Sequence, residues 1–124
     1  MIDYTQISTL SSYVLEESYF LEVIESRGKV ELKADLVLAR DHPDLLPARA
    51  GEWARYPEGV IRFTGVKDFL WTDRTKQAVD ADGTRSWDGV DKFTQQCQTY
   101  TLEGDFGRMM IVADLVECEL TGPA

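Results

Sequence analysis

Tyr19-Phe20-Leu21-Glu22-Val23-Ile24-Glu25-Ser26 runs into Arg27-Gly28 and leaves it as Lys29-Val30-Glu31-Leu32-Lys33-Ala34-Asp35-Leu36. The second half alternates apolar and polar residues with period two, the signature of a strand with one buried face. The first half is rich in aromatic and β-branched residues, which suit a pleated surface. A glycine between them supplies the backbone freedom of a tight turn. With Arg27-Gly28 as a two-residue loop, Ser26 faces Lys29, Val23 faces Leu32, Leu21 faces Ala34 and Tyr19 faces Leu36. The opposite face sets Glu22 against Lys33 and Phe20 against Asp35. Apolar residues meet apolar ones and one charge meets its opposite, so a β-hairpin is expected here.

The rest of the chain reads the same way. Tyr56-Pro57-Glu58-Gly59-Val60 fits a type I turn with Pro57 at its second position and Gly59 closing the loop. That turn pairs Tyr56 with Val60 and Trp53 with Phe63. Thr64-Gly65-Val66 interrupts the strand and Phe69-Leu70-Trp71 resumes it. A third hairpin from about Phe93 to Leu120 turns at Gly104-Asp105-Phe106-Gly107. Within it, Met109–Ala113 is continuously apolar, as in a strand buried on both faces, and the alternation slips near Asp114. Arg40–Ala50 and Asp73–Val90 read as long connections. Ile7, Leu10 and Val14 also fit helical spacing, so residues 3–12 suit a short helix. The expected fold is a single all-β domain over residues 1–124, mainly antiparallel, with about six to eight strands in a β-sandwich or a partly open β-barrel.

Charge is distributed unevenly. Residues 1–26 contain Asp3, Glu16, Glu17, Glu22 and Glu25 and no Lys or Arg, while residues 103–124 carry five acids against Arg108. The segment between them cancels, so the net charge of −9 belongs to the two ends. Side by side, those ends would form one negative patch. Such a surface repels nucleic acid and anionic membranes, and it favours a basic protein as partner. No apolar run approaches the roughly 20 residues that span a bilayer, and the N-terminus lacks the pattern of a secretory signal, so a cytoplasmic protein is expected. Cys97 and Cys118, both in apparent strands, then read as free thiols. An exposed sheet edge leaves room for a homodimer.

No catalytic signature stands out. His42, the only histidine, lies in Asp41-His42-Pro43-Asp44, where flanking carboxylates suit either an acid–base group or a turn. Asp80-Ala81-Asp82-Gly83 fails two ligand positions of a calcium loop and reads as a polar turn. No metal or cofactor is expected. Glu16, Glu17, Glu22, Glu25, Glu117 and Glu119 are the candidate docking acids, and the same residue type could hold a carboxylate pair for hydrolysis. Trp53, Trp71 and Trp87, with Phe63 and Phe69, form either the core or the lining of a ligand cavity.

Three spaced elements carry a resemblance: His42-Pro43; Gly51-Glu52 followed by Tyr56 and Ile61-Arg62-Phe63; and Tyr100-Thr101-Leu102-Glu103-Gly104-Asp105-Phe106-Gly107. The chain resembles small, uncharacterised bacterial β-rich proteins, some of which are similar to immunity proteins from toxin–immunity loci. That likeness implies a non-enzymatic protein-binding domain and transfers no functional residue. The alternatives are a small-molecule-binding β-barrel lined by the tryptophans and a hydrolase using carboxylates or His42.

Overall fold

The computed structural model describes residues 1–39, 57–79, 81 and 83–121. Eleven strands occur among them: β1 (Ile2–Asp3), β2 (Tyr19–Ser26), β3 (Lys29–Asp35), β4 (Glu58–Thr64), β5 (Asp68–Thr72), β6 (Ala78–Val79), β7 (Arg85–Ser86), β8 (Val90–Gln96), β9 (Thr99–Gly104), β10 (Gly107–Val112) and β11 (Leu115–Leu120). They form three antiparallel sheets, ordered β11-β4-β3-β2, β1-β8-β9-β10-β5 and β6-β7. None closes into a barrel, so the barrel alternative gives way to an open, all-β arrangement. The expected helix over residues 3–12 is only a 3-10 turn, Tyr4–Gln6, capped by the Asp3 side chain.

The two large sheets pack face to face through aromatic rings. Phe63 of β4 lies 6.2 Å from the ring of Phe93 on β8 and 5.2 Å from that of Tyr100 on β9, centroid to centroid. Val30, Leu32, Ala34 and Ile61 on one side, and Leu102, Met109 and Ile111 on the other, complete the core between them. Burying a phenylalanine stabilises by roughly 1.5–3 kcal/mol, and well-placed aromatic pairs add about 0.5–1.5 kcal/mol. Met109–Ala113 is therefore not buried on both faces. Met109 and Ile111 point inward, whereas Met110 and Val112 are half-buried on the outside of the sheet.

The β2–β3 hairpin keeps its expected register from Ser26 opposite Lys29 as far as Glu22 opposite Lys33. Beyond that a β-bulge at Leu21 shifts the strand, so Phe20 faces Ala34 and Tyr19 faces Asp35. The regular register would put Phe20 on the solvent side beside an aspartate. The bulge turns it inward, where it is 2 % exposed and meets the Phe106 ring edge-on at 5.7 Å.

The turn expected at Pro57-Glu58-Gly59 does not form. Glu58 and Gly59 belong to β4, opposite Asp35 and Ala34 of β3. Gly59 serves close packing: a Cβ there would lie 2.4 Å from Leu36 Cδ1 and 2.7 Å from the Glu119 carbonyl oxygen. Trp53, Tyr56 and the whole Arg40–Ala50 connection, His42 included, lie outside the described residues. The Gly104–Gly107 turn forms as expected, but Phe106 inside it is buried. Cys97 is a turn residue between β8 and β9, with φ of 54°, rather than a strand residue.

Besides the long β1–β2 connection, two short crossings carry the chain between the large sheets, and they meet. After β4 the chain passes through Gly65 into β5; after β10 it passes through Ala113-Asp114 into β11. The N–H of Asp114 donates to Thr64 O, that of Lys67 donates to Val112 O, and the Lys67 ammonium pairs with Asp114 at 3.0 Å. Gly65 has φ of +65°, and a Cβ on it would sit 2.2 Å from the Asp114 carboxylate. Gly28, at φ +71°, has nothing within 4 Å of that position. Gly28→Ala should therefore cost about 1 kcal/mol for its left-handed backbone. Gly65→Ala should cost clearly more, because steric overlap adds to the same backbone strain. Urea titration of both variants checks the ranking; equal losses would contradict it.

Candidate functional site

The acids expected to gather at the two ends are only partly brought together. Residues 9–13 do run beside the closing strand: the Thr9 hydroxyl donates to Val116 O at 2.8 Å, and Tyr13 OH reaches Cys118 O at 3.5 Å. The acid-bearing strands, however, are β2 and β11, at opposite edges of the four-stranded sheet with β3 and β4 between them. Glu16 and Glu17 belong to neither strand and lie exposed in a 3-10 turn at Leu15–Glu17, where Tyr4 OH hydrogen-bonds Glu16. Glu25 faces Val30 near the hairpin turn. A single patch built from the two termini is thus replaced by a face that spans the whole sheet.

That face is formed by alternation. Residues of one parity in β2, β3, β4 and β11 point inward, so the other parity points out. The described residues of the outer face include six carboxylates (Glu22, Glu31, Asp35, Glu58, Glu117, Glu119) and three cations (Lys29, Lys33, Arg62). Arg62 sits between two acids, donating from Nε to Glu31 at 3.1 Å and from Nη2 to Glu119 at 2.8 Å. Hydrogen bonds to both carboxylates strengthen its hold on its proton. Lys33 reaches Glu22 at 3.9 Å with both groups largely exposed, a pairing worth little by itself. Acids predominate, but the cations are interleaved among them.

The bulge at Leu21 opens a cleft of about 290 Å³ on this face, lined by Leu21, Glu22, Lys33, Ala34, Glu58, Gly59 and Thr121. Beside it, the register sets Asp35 directly opposite Glu58, two carboxylates on adjacent strands. Burial first, and the Glu58 charge second, raise the pKa of Asp35 above the usual carboxylate range. A cation placed in the cleft would relieve that repulsion. Glu31, Asp35, Glu58 and Arg62 were not singled out from sequence. Glu31 and Asp35 were legible as the polar half of the β3 alternation, but Glu58 was read as a turn residue.

Trp87 is buried, Trp71 is partly buried, and the two side chains pack against each other. Their rings meet edge to face at 5.5 Å, and their indole N–H groups donate to Phe106 O and Thr75 O. Among the described residues no group of three or more His, Cys, Asp or Glu is arranged to hold a metal ion. Both cysteines are free, and burial pushes the Cys118 thiol up to about 12, away from nucleophilic chemistry.

Because folding raises the Asp35 pKa, the folded chain holds that proton more tightly than the unfolded chain does. The resulting stability is complete below the ordinary carboxylate range and is lost as pH rises through the folded-state value. Asp35→Asn, which removes the charge, should therefore raise the thermal midpoint near neutral pH. The gain should shrink as the pH falls from neutral into the acid range and the parent side chain takes up its own proton. Circular dichroism melts across that range test this, and a variant no more stable than the parent at neutral pH would refute the repulsion.

No family model matches the chain, and neither a curated protein nor a solved structure does.

Proposed function

We propose that the protein is a non-enzymatic binding domain whose acidic outer face, on the sheet β11-β4-β3-β2, docks a basic protein. The observation that carries this reading is the cleft at the Leu21 bulge, bordered by Glu22, Glu58 and the Asp35–Glu58 pair. An Arg or Lys from the partner would lay its methylene stem along Leu21 and bring its charge to Glu22 and Glu58. Charge complementarity over such a face speeds association and rejects wrong partners.

A partner that itself holds phosphate, such as a nuclease, is basic for that reason, so an inhibitor or immunity role is the specific form of this reading. The cytoplasmic setting belongs to the same proposal; two free cysteines are in keeping with it, and no described helix is long and apolar enough to cross a membrane.

The test is capture by immobilised protein compared with its Glu22→Lys/Glu58→Lys variant and with Asp68→Lys, a reversal on the other large sheet. A basic protein should be retained at low salt by the parent and by Asp68→Lys, released at high salt, and lost to the double variant. Retention unaffected by the double reversal, or by salt, would refute an acidic docking face.

A further inference from the structure

Cations gather on the opposite side of the charge ledger at one place. Residues 74–77, the two-stranded ribbon β6–β7 and Trp87 border an open groove of about 500 Å³, lined by Arg74, Thr75, Lys76, Gln77, Val79, Arg85 and Trp87. Three of these are positively charged, and no carboxylate is among the described lining residues, in a chain whose net charge is −9. Among the described residues neither Lys76 nor Arg85 forms an ion pair. Asp105 interacts with Asp88 and Asp91, and none of the three belongs to the groove lining. Asp80 and Asp82 belong to the β6–β7 connection but lie outside the described residues.

The groove is built rather than incidental. The Arg74 guanidinium lies 4.1 Å over the Trp71 ring, which holds it in place by a cation–π contact. Trp87 ties the ribbon to β2 through paired main-chain bonds with Phe20, at 2.8 and 2.9 Å, and its indole N–H donates to Thr75 O at 3.1 Å. Gln77 anchors the facing segment to Leu21 O at 2.7 Å. Thr75 is fixed in turn by its hydroxyl, which donates to Asp105 O. Val79, 60 % exposed, leaves an apolar surface at the rim.

We propose that this groove binds a small, soluble, phosphate-bearing molecule carrying at least two negative charges. Two guanidinium groups and an ammonium exceed what a single carboxylate would neutralise, and Arg and Lys together are the usual means of holding phosphate. The volume falls within the range of small-ligand sites, roughly 300–1,000 Å³. A polymer of phosphates would feel the negative charge of the whole body. A small anion in contact with the groove is governed by the nearest charges, because salt screens the rest over about 8 Å. Strands only two residues long give an acidic peptide no sheet edge to extend.

Inorganic pyrophosphate is the probe, titrated calorimetrically into the full chain at low salt with tryptophan fluorescence in parallel. Saturable binding is expected, weakened about tenfold or more in Lys76→Glu and in Arg85→Glu, since each removes a charge-assisted contact. Arg27→Glu, in the exposed β2–β3 turn, should bind as the parent does. These exposed substitutions should leave the circular dichroism spectrum unchanged. Absence of saturable binding, equal affinity in the groove variants, or association only with phosphatidic acid vesicles or polyglutamate would overturn the proposal.

Discussion

The packing of Phe63 against Phe93 and Tyr100, stacked on the first ring and edge-on to the second, is the contact on which the molecule depends. A single β-sheet of four or five strands leaves one apolar face in water, and only a second sheet can cover it. Phe63 comes from one sheet and its two ring partners from the other, so this cluster exists only when both sheets are in place. The same burial sets the face of every other strand. β3 must send Val30, Leu32 and Ala34 inward, and its charged residues are then necessarily displayed outward. The acidic face is thus a consequence of core formation.

Two chain crossings at one corner distribute the strands between the sheets. Gly65 gives the first crossing the left-handed backbone and the space that Asp114 of the second crossing needs. The hydrogen bonds from Asp114 to Thr64 and from Lys67 to Val112 make each crossing a support for the other. β11 thereby returns to the sheet of β4, and residues 9–13 cover its outward carbonyls through Thr9 and Tyr13. That covering protects an edge that would otherwise invite another strand.

The candidate surfaces were legible to different degrees. Glu22, Glu117 and Glu119 were visible as acids on strands, and alternation was enough to place them outward. Their distribution was not visible, because β2 and β11 are separated by β3 and β4, and strand order is set by long-range pairing. Glu58 was hidden by the turn-like Pro57-Glu58-Gly59, whose glycine answers to Leu36 and Glu119 rather than to a turn. The basic groove escaped notice for a similar reason. Arg74, Lys76 and Arg85 are spread over twelve residues, and only the folding back of β6 on β7 sets them around one space.

Local chemistry in the chain was sufficient to determine the all-β class, the Arg27-Gly28 hairpin and its first five residue pairs, and the Gly104–Gly107 turn. Each rests on residues within a few positions of one another, where period-two alternation and turn glycines act directly. Tertiary structure alone decided the Leu21 bulge, the inward turn of Phe20, the splitting of the strands between two sheets and the company each charge keeps. Those outcomes depend on what a side chain meets across the core, and a chain without its fold has no such neighbour.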